Sequence, residues 1–190
     1  MSIGLTWQRP EILRLQEFRR TDGRNNQELI PIKKFRRNLF KHTKFFKLFT
    51  DEGVFFGKKV LVKKRADNER VLLQEVQHDR VIPFLGEDEE YGFIFPFIEG
   101  TNLEKVKWRT IKNREEVLEQ LHDFYAFLES CETSLGLLIE LVDTHKNNFI
   151  MEIEDDVVHN WWFIDLERVN KNCLGRNLKY LESYKGYFGL

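Results

Sequence analysis

A chain of 190 residues has room for one well-buried domain or two small lobes sharing a cleft, and excludes two independent domains. Seventeen Phe supply ample core material, while Cys131 and Cys173 match no ligand spacing, so neither a disulfide framework nor a zinc site is expected. No apolar run approaches the ~18 residues of a membrane-spanning helix and the N-terminus lacks a signal-peptide core, which predicts a cytoplasmic chain.

Charge is unevenly spread. Through Arg65 there are 17 Lys and Arg against 6 Asp and Glu, and from Ala66 onward 13 against 25, so a net charge of −1 conceals halves of about +11 and −12. A basic N-terminal third suits phosphates, an anionic membrane or an acidic partner, and equally suits attraction between the two halves.

In chain order, Ile12, Leu15 and Phe18 repeat at helical spacing, predicting a short helix over 9–20. Residues 32–41 mix basic and apolar side chains as an amphipathic surface helix does. From Phe45 short strands follow: Phe45–Phe49 and Val54–Phe56 around a Thr-Asp-Glu-Gly turn, then Val60–Lys64 as a third strand. Residues 68–77 read as a helix capped by Asp67 or Asn68. Val81–Leu85 and Tyr91–Phe95 read as strands around the acidic turn 86–90, and Pro96–Gly100 breaks the pattern. A long amphipathic helix over Arg114–Glu129 comes next, then a hairpin of Phe149–Met151 and Trp161–Ile164, then a final helix over 177–187.

The chemistry-bearing residues gather around that hairpin. Asp143 is followed five residues on by Asn148, which opens Phe-Ile-Met; Asp165 ends the second apolar run. Magnesium takes a few hard oxygens and leaves the rest of its octahedron to phosphates and water, and Asn148 and Asp165 at neighbouring strand ends supply such oxygens. Asp143, one short loop earlier, is placed to orient an acceptor hydroxyl. His145 or Lys146 could meet a transferred phosphate. Lys63, ending an alternating strand, is the candidate phosphate lysine, with Lys64 as its alternative; Glu75 is preferred to Glu69 as its carboxylate partner.

The stretch Asp143-Thr-His-Lys-Asn-Asn148-Phe-Ile resembles the catalytic loop of the lipopolysaccharide core heptose kinases. Ile164-Asp165-Leu166 is similar to their metal-binding stretch, and Phe95-Pro-Phe-Ile-Glu-Gly100 to their hinge. The resemblance implies an α+β, bilobal protein-kinase-like fold with a strand-rich N-lobe and a minimal helical C-lobe, dependent on ATP and Mg2+. Asp143 would then be the base, Asn148 and Asp165 the metal ligands, Lys63 the phosphate lysine, and Pro96, Phe97 and Ile98 the backbone that receives adenine. The implied divisions are a basic extension over 1–44, an N-lobe over 45–95, a hinge over 96–100 and a truncated C-lobe over 101–190.

Departures accompany the likeness. Leu141 stands two residues before Asp143, where a His or Tyr is usual, and Asp165-Leu166-Glu167 replaces Asp-Phe-Gly. With no Gly-x-Gly-x-x-Gly, phosphate cover falls to residues 50–53 or to basic side chains. Three functions stay open: a kinase acting on a sugar-lipid such as lipopolysaccharide core, a minimal protein kinase of the kind bacteria inject into hosts, and a pseudokinase binding module. ATP and a sugar-lipid or protein acceptor are the expected partners, with the inner membrane face as a docking surface; no nucleic acid is expected.

Overall fold

The computed structural model describes residues 6–19, 30–31, 43–130, 138–139, 146–166, 169–170 and 188. Chain contacts divide the molecule into two compact units, one of residues 1–66 and 83–97 and the other of 67–82 and 98–190. The predicted helices over 32–41 and 177–187 lie outside the described residues.

The first unit is built on a six-stranded sheet. In chain order its strands are β1 (Ile12–Arg19), β2 (Ile30–Pro31), β3 (Thr43–Thr50), β4 (Val54–Val60), β5 (Gly86–Asp88) and β6 (Gly92–Pro96), in the spatial order β2-β1-β3-β4-β6-β5. The predicted helix over 9–20 is therefore a strand. The spacing of three puts Leu15 and Phe18 on opposite sheet faces, and antiparallel pairing with β3, Leu15 opposite Leu48 and Phe18 opposite Phe45, overrides that local helical period. Residues assigned to an extension thus supply two strands of the sheet.

A second correction concerns β4. The predicted break at Gly57 and third strand at Val60–Lys64 are replaced by one continuous strand, paired with β3 from Val54 to Val60 and with β6 from Phe55 to Lys58. Gly57 sits inside it because a Cβ there would lie 3.1 Å from Tyr91 Cβ and 3.4 Å from Phe46 Cβ, a close approach that favours glycine. Likewise the acidic residues Gly86–Asp88 form β5 themselves, and the predicted strand over 81–85 is absent. Pro83, which has no N–H to give a ladder, interrupts it. On one face of the sheet Phe46, Leu48, Tyr91 and Ile94 form a core covered by Trp7, Ile12 and Phe55.

Helix α1 (Lys63–Glu75) begins five residues before the predicted start, on Val62, whose carbonyl accepts from the N–H groups of Arg65 (2.9 Å) and Ala66 (3.0 Å). Three cations in its first turn oppose the helix dipole, so burial of Leu72 and Leu73, not end charge, holds it.

The second unit pairs a helix with a small sheet. β7 (Thr101–Asn102), β9 (Phe149–Glu154) and β10 (Val157–Phe163) form it in the order β10-β9-β7; β8 (Leu138–Ile139) pairs separately with β11 (Val169–Asn170). Asp155 and Asp156, at φ of 51° and 61°, make the two-residue turn of the β9–β10 hairpin, so the strands run further than predicted. Helix α2 (Arg114–Ser130) buries Val117, Leu121, Phe124, Tyr125 and Leu128 along one stripe. The Phe124 ring meets those of Phe149, Trp161 and Phe163 at 5.4–6.1 Å, which clamps the hairpin to the helix.

Candidate functional site

Polar side chains are rarely buried without a partner or a task. Among the described residues those that are buried are Lys58, Glu69, Asn102, Asn148 and Asp165, exposed by 3%, 1%, 7%, 1% and 6% respectively. Each is an ammonium, a carboxylate or an amide.

In the second unit the hairpin positions two of them. Phe149 pairs with Phe163, so the start of β9 and the end of β10 lie side by side. Just outside that pair the N–H of Ile164 donates to the carbonyl of Asn148 (2.9 Å), which holds Asn148 and Asp165 at one end of the hairpin. Asn148 closes a short 3-10 turn, Lys146–Asn148. The Asn102 side chain fixes that turn: its amide nitrogen donates to the carbonyl of Asn147 (2.6 Å), and its oxygen accepts from the N–H of Glu104 (3.2 Å). Burial lowers the Lys146 ammonium pKa, an effect the charge of Glu104 opposes. Asp143 and His145 lie outside the described residues.

The donor set at this hairpin end fits magnesium. One carboxylate and one amide oxygen are hard ligands that leave coordination positions to phosphates and water. Among the described residues no three His, Cys, Asp or Glu side chains gather to hold a metal ion.

The lysine expected to end a strand does not do so. Lys63 opens α1, exposed; Lys64 follows it on the same helix, also exposed. The buried lysine is Lys58, in the middle of β4, opposite Phe45 on one side and Phe93 on the other. A similar contrast holds for the carboxylate. Glu75 is exposed at the end of α1, whereas Glu69 lies on the same stripe as Leu72, Leu73 and Val76. Local spacing did not separate them: Glu75 has Val71 and Leu72 at i−4 and i−3 as Glu69 has Leu72 and Leu73 at i+3 and i+4, and Lys63 alternates with Leu61 as Lys58 does with Phe56 and Val60. Asn102 had no signal, because its role depends on a turn 45 residues away.

Of the segment 96–98, Pro96 ends β6 and has no N–H, and the N–H of Phe97 donates to the Val54 carbonyl (3.0 Å). Its one backbone donor not paired in this way is the Ile98 N–H. The 50–53 turn joins the ends of β3 and β4 at Val54, four residues from Lys58, or roughly 13 Å along the strand at ~3.3 Å per residue.

No family model and no curated protein sequence matches the chain. Among solved structures it is similar to Rad53 1-466 in complex with AMP-PNP, with a TM-score of 0.50 and 16% identity over 71% of this chain and 38% of that one. It is also similar to the autoinhibited serine kinase domain of the giant muscle protein titin, with a TM-score of 0.49 and 14% identity over 69% of this chain and 43% of that one. The chain spans less than half the length of each of these structures. It has a protein-kinase-like α+β fold.

Proposed function

We propose that the chain is an ATP- and magnesium-dependent phosphotransferase acting on a hydroxyl group. The observation that carries this is the identity of four of the five buried polar side chains: a strand lysine, a helix glutamate, and an asparagine and aspartate at one hairpin end, which the fifth, Asn102, braces. A scaffold has no physical need to bury that set, and phosphoryl transfer uses each member. The similar Rad53 structure holds AMP-PNP, which supports ATP as the nucleotide.

In this reading Lys58 binds the α- and β-phosphate oxygens, and the buried Glu69 replaces the exposed Glu75 as the acidic candidate on α1. Asn148 and Asp165 would hold magnesium, which when bound neutralises charge on the β- and γ-phosphates. Asp143 orients the acceptor hydroxyl and takes its proton as the oxygen bonds to the γ-phosphorus, while the bond to the β-phosphate oxygen breaks and ADP leaves. His145 and Lys146 are donors to the transferred phosphoryl group. The Pro96 carbonyl and Ile98 N–H read the adenine edge.

The acceptor reading rests on the motifs around Asp143, Asp165 and Phe95, which resemble those of lipopolysaccharide core heptose kinases. A phosphorylated sugar-lipid on an anionic membrane also suits the basic N-terminal third. Calorimetric titration with ATP and Mg2+ tests the nucleotide site. Lys58→Met is expected to weaken binding at least about tenfold, the loss of roughly 1.4 kcal/mol or more from a charge-assisted contact. Lys63→Met is expected to bind as the parent does. The reverse pattern would restore Lys63, and no binding by the parent chain would leave a binding module. Label from γ-32P-ATP should enter purified lipopolysaccharide core; label in protein instead assigns a protein kinase. Asp143→Ala is expected to abolish transfer yet keep ATP binding, and Asp165→Ala to weaken both.

A further inference from the structure

Directly opposite residues of an antiparallel pair share a sheet face, and so do residues two apart on one strand. Phe45, opposite Lys58, and Lys47, opposite Phe56, therefore lie on the face that carries Lys58, together with Phe93 and Phe95. Lys47 is the diagonal neighbour of Lys58 on that face, about 7–8 Å away between backbones. That span is comparable to the one between a nucleobase and its first phosphates.

At this second position the face turns cationic. The Lys47 ammonium stands 3.5 Å from the centroid of the Phe97 ring and 5.2 Å from that of Phe49, and the Arg14 guanidinium stands 3.8 Å over Phe49. Among the described residues no carboxylate forms an ion pair with either cation; rings are their neighbours. Lys47 is only half-buried, and Phe97 belongs to the segment whose carbonyl and N–H groups would read the base edge. An ammonium donates and never accepts, so its natural contacts are an aromatic face or the acceptor atoms of a heterocycle.

We propose that Lys47, stacked on Phe97, contacts the nucleobase of a bound nucleoside triphosphate, while Lys58 on the same sheet face holds its phosphates. The proposal rests on the nucleotide-site reading above and adds to it a base-contacting cation that none of the three sequence motifs contains. Lys47 acts on affinity through the base and has no contact with the phosphates.

Calorimetric titration of the whole chain with ATP and with inorganic tripolyphosphate, both with Mg2+, tests it. Lys47→Met keeps the length of the side chain and removes its charge; it is expected to weaken ATP roughly 2- to 30-fold and to leave tripolyphosphate within about twofold, the range of a cation–π contact at exposed to desolvated sites. Lys47→Arg, which retains a cation able to stack, is expected to bind ATP as the parent does. An equal loss for both ligands in Lys47→Met overturns the proposal, since it makes Lys47 a phosphate or folding residue; unchanged ATP affinity overturns it as well. A parent chain that binds neither ligand removes the nucleotide-site reading and this proposal with it. A parent that binds ATP as tightly as Lys47→Met removes this proposal alone.

Discussion

Tyr91 shows how one buried side chain sets a pH limit on the sheet unit. Burial raises its phenol pKa, and the Arg9 guanidinium, which donates to the phenol oxygen (3.0 Å) and lies over the ring, pulls it back; Glu90 and Asp88 then push it up again. With the folded value above the ordinary ~10, the unfolded chain loses the proton first as pH rises, so stability is unchanged below about pH 10 and declines above it. Melting curves from about pH 8 to about pH 11 should show that decline in the parent and a shallower one in Tyr91→Phe. Equal slopes would mean that Tyr91 titrates alike in both states. Lys58 and Lys63 illustrate the same dependence on surroundings. Both are lysines in basic, apolar-flanked stretches, and only the register of β4 tells which is buried.

At the scale of elements, two junctions turn on a glycine and a ring. Gly92 sits at φ +77°, and a Cβ there would lie 2.4 Å from the Lys58 carbonyl oxygen and 2.6 Å from Lys59 Cα. These are backbone atoms, so β4 itself would have to move. Gly92→Ala is expected to cost about 3 kcal/mol or more through strain and overpacking, read from urea unfolding. Its ATP affinity should fall as well, because β4 carries Lys58. A stable Gly92→Ala chain would show that the strands are not packed this closely. In the second unit Phe124 joins α2 to the hairpin that holds Asn148 and Asp165. Phe124→Ala should cost about 3–5 kcal/mol, while Glu119→Ala, exposed on the same helix, should stay within about 0.5 kcal/mol. The Arg80 guanidinium braces this region further, donating to the side chains of Asn160 and Gln120 and lying over the Trp161 ring. Its carbonyl accepts from the N–H of Phe163 (2.7 Å), two residues before Asp165.

For the whole molecule the sequence-wide charge split is the feature to test. If the basic third serves an anionic surface, sedimentation with vesicles containing anionic lipid should be strong at low ionic strength. It should fall sharply by ~0.15 M salt, where the screening length is about 8 Å. Absence of binding at every salt concentration would remove the membrane role and leave phosphates, an acidic partner or attraction between the halves. β1 and β2 come from this basic third, so truncating residues 1–44 would remove sheet strands along with charge; substitutions are the sounder test.

Some of this protein was fully determined by local sequence. The α2 stripe, the β9–β10 hairpin and the strand-rich-then-helical order are legible because strong periodicity and turn residues act within a few positions of one another. The placement of Asn148 and Asp165 at one hairpin end follows from the same local rules. Tertiary structure alone decided that residues 12–19 are a strand, since Ile12, Leu15 and Phe18 carry a helical spacing that pairing with β3 overrides. It decided as well that β4 runs through Gly57 and that Lys58 and Glu69, not Lys63 and Glu75, are the buried charges. The reason is physical: periodicity is a property of neighbours along the chain, whereas burial depends on what packs across it.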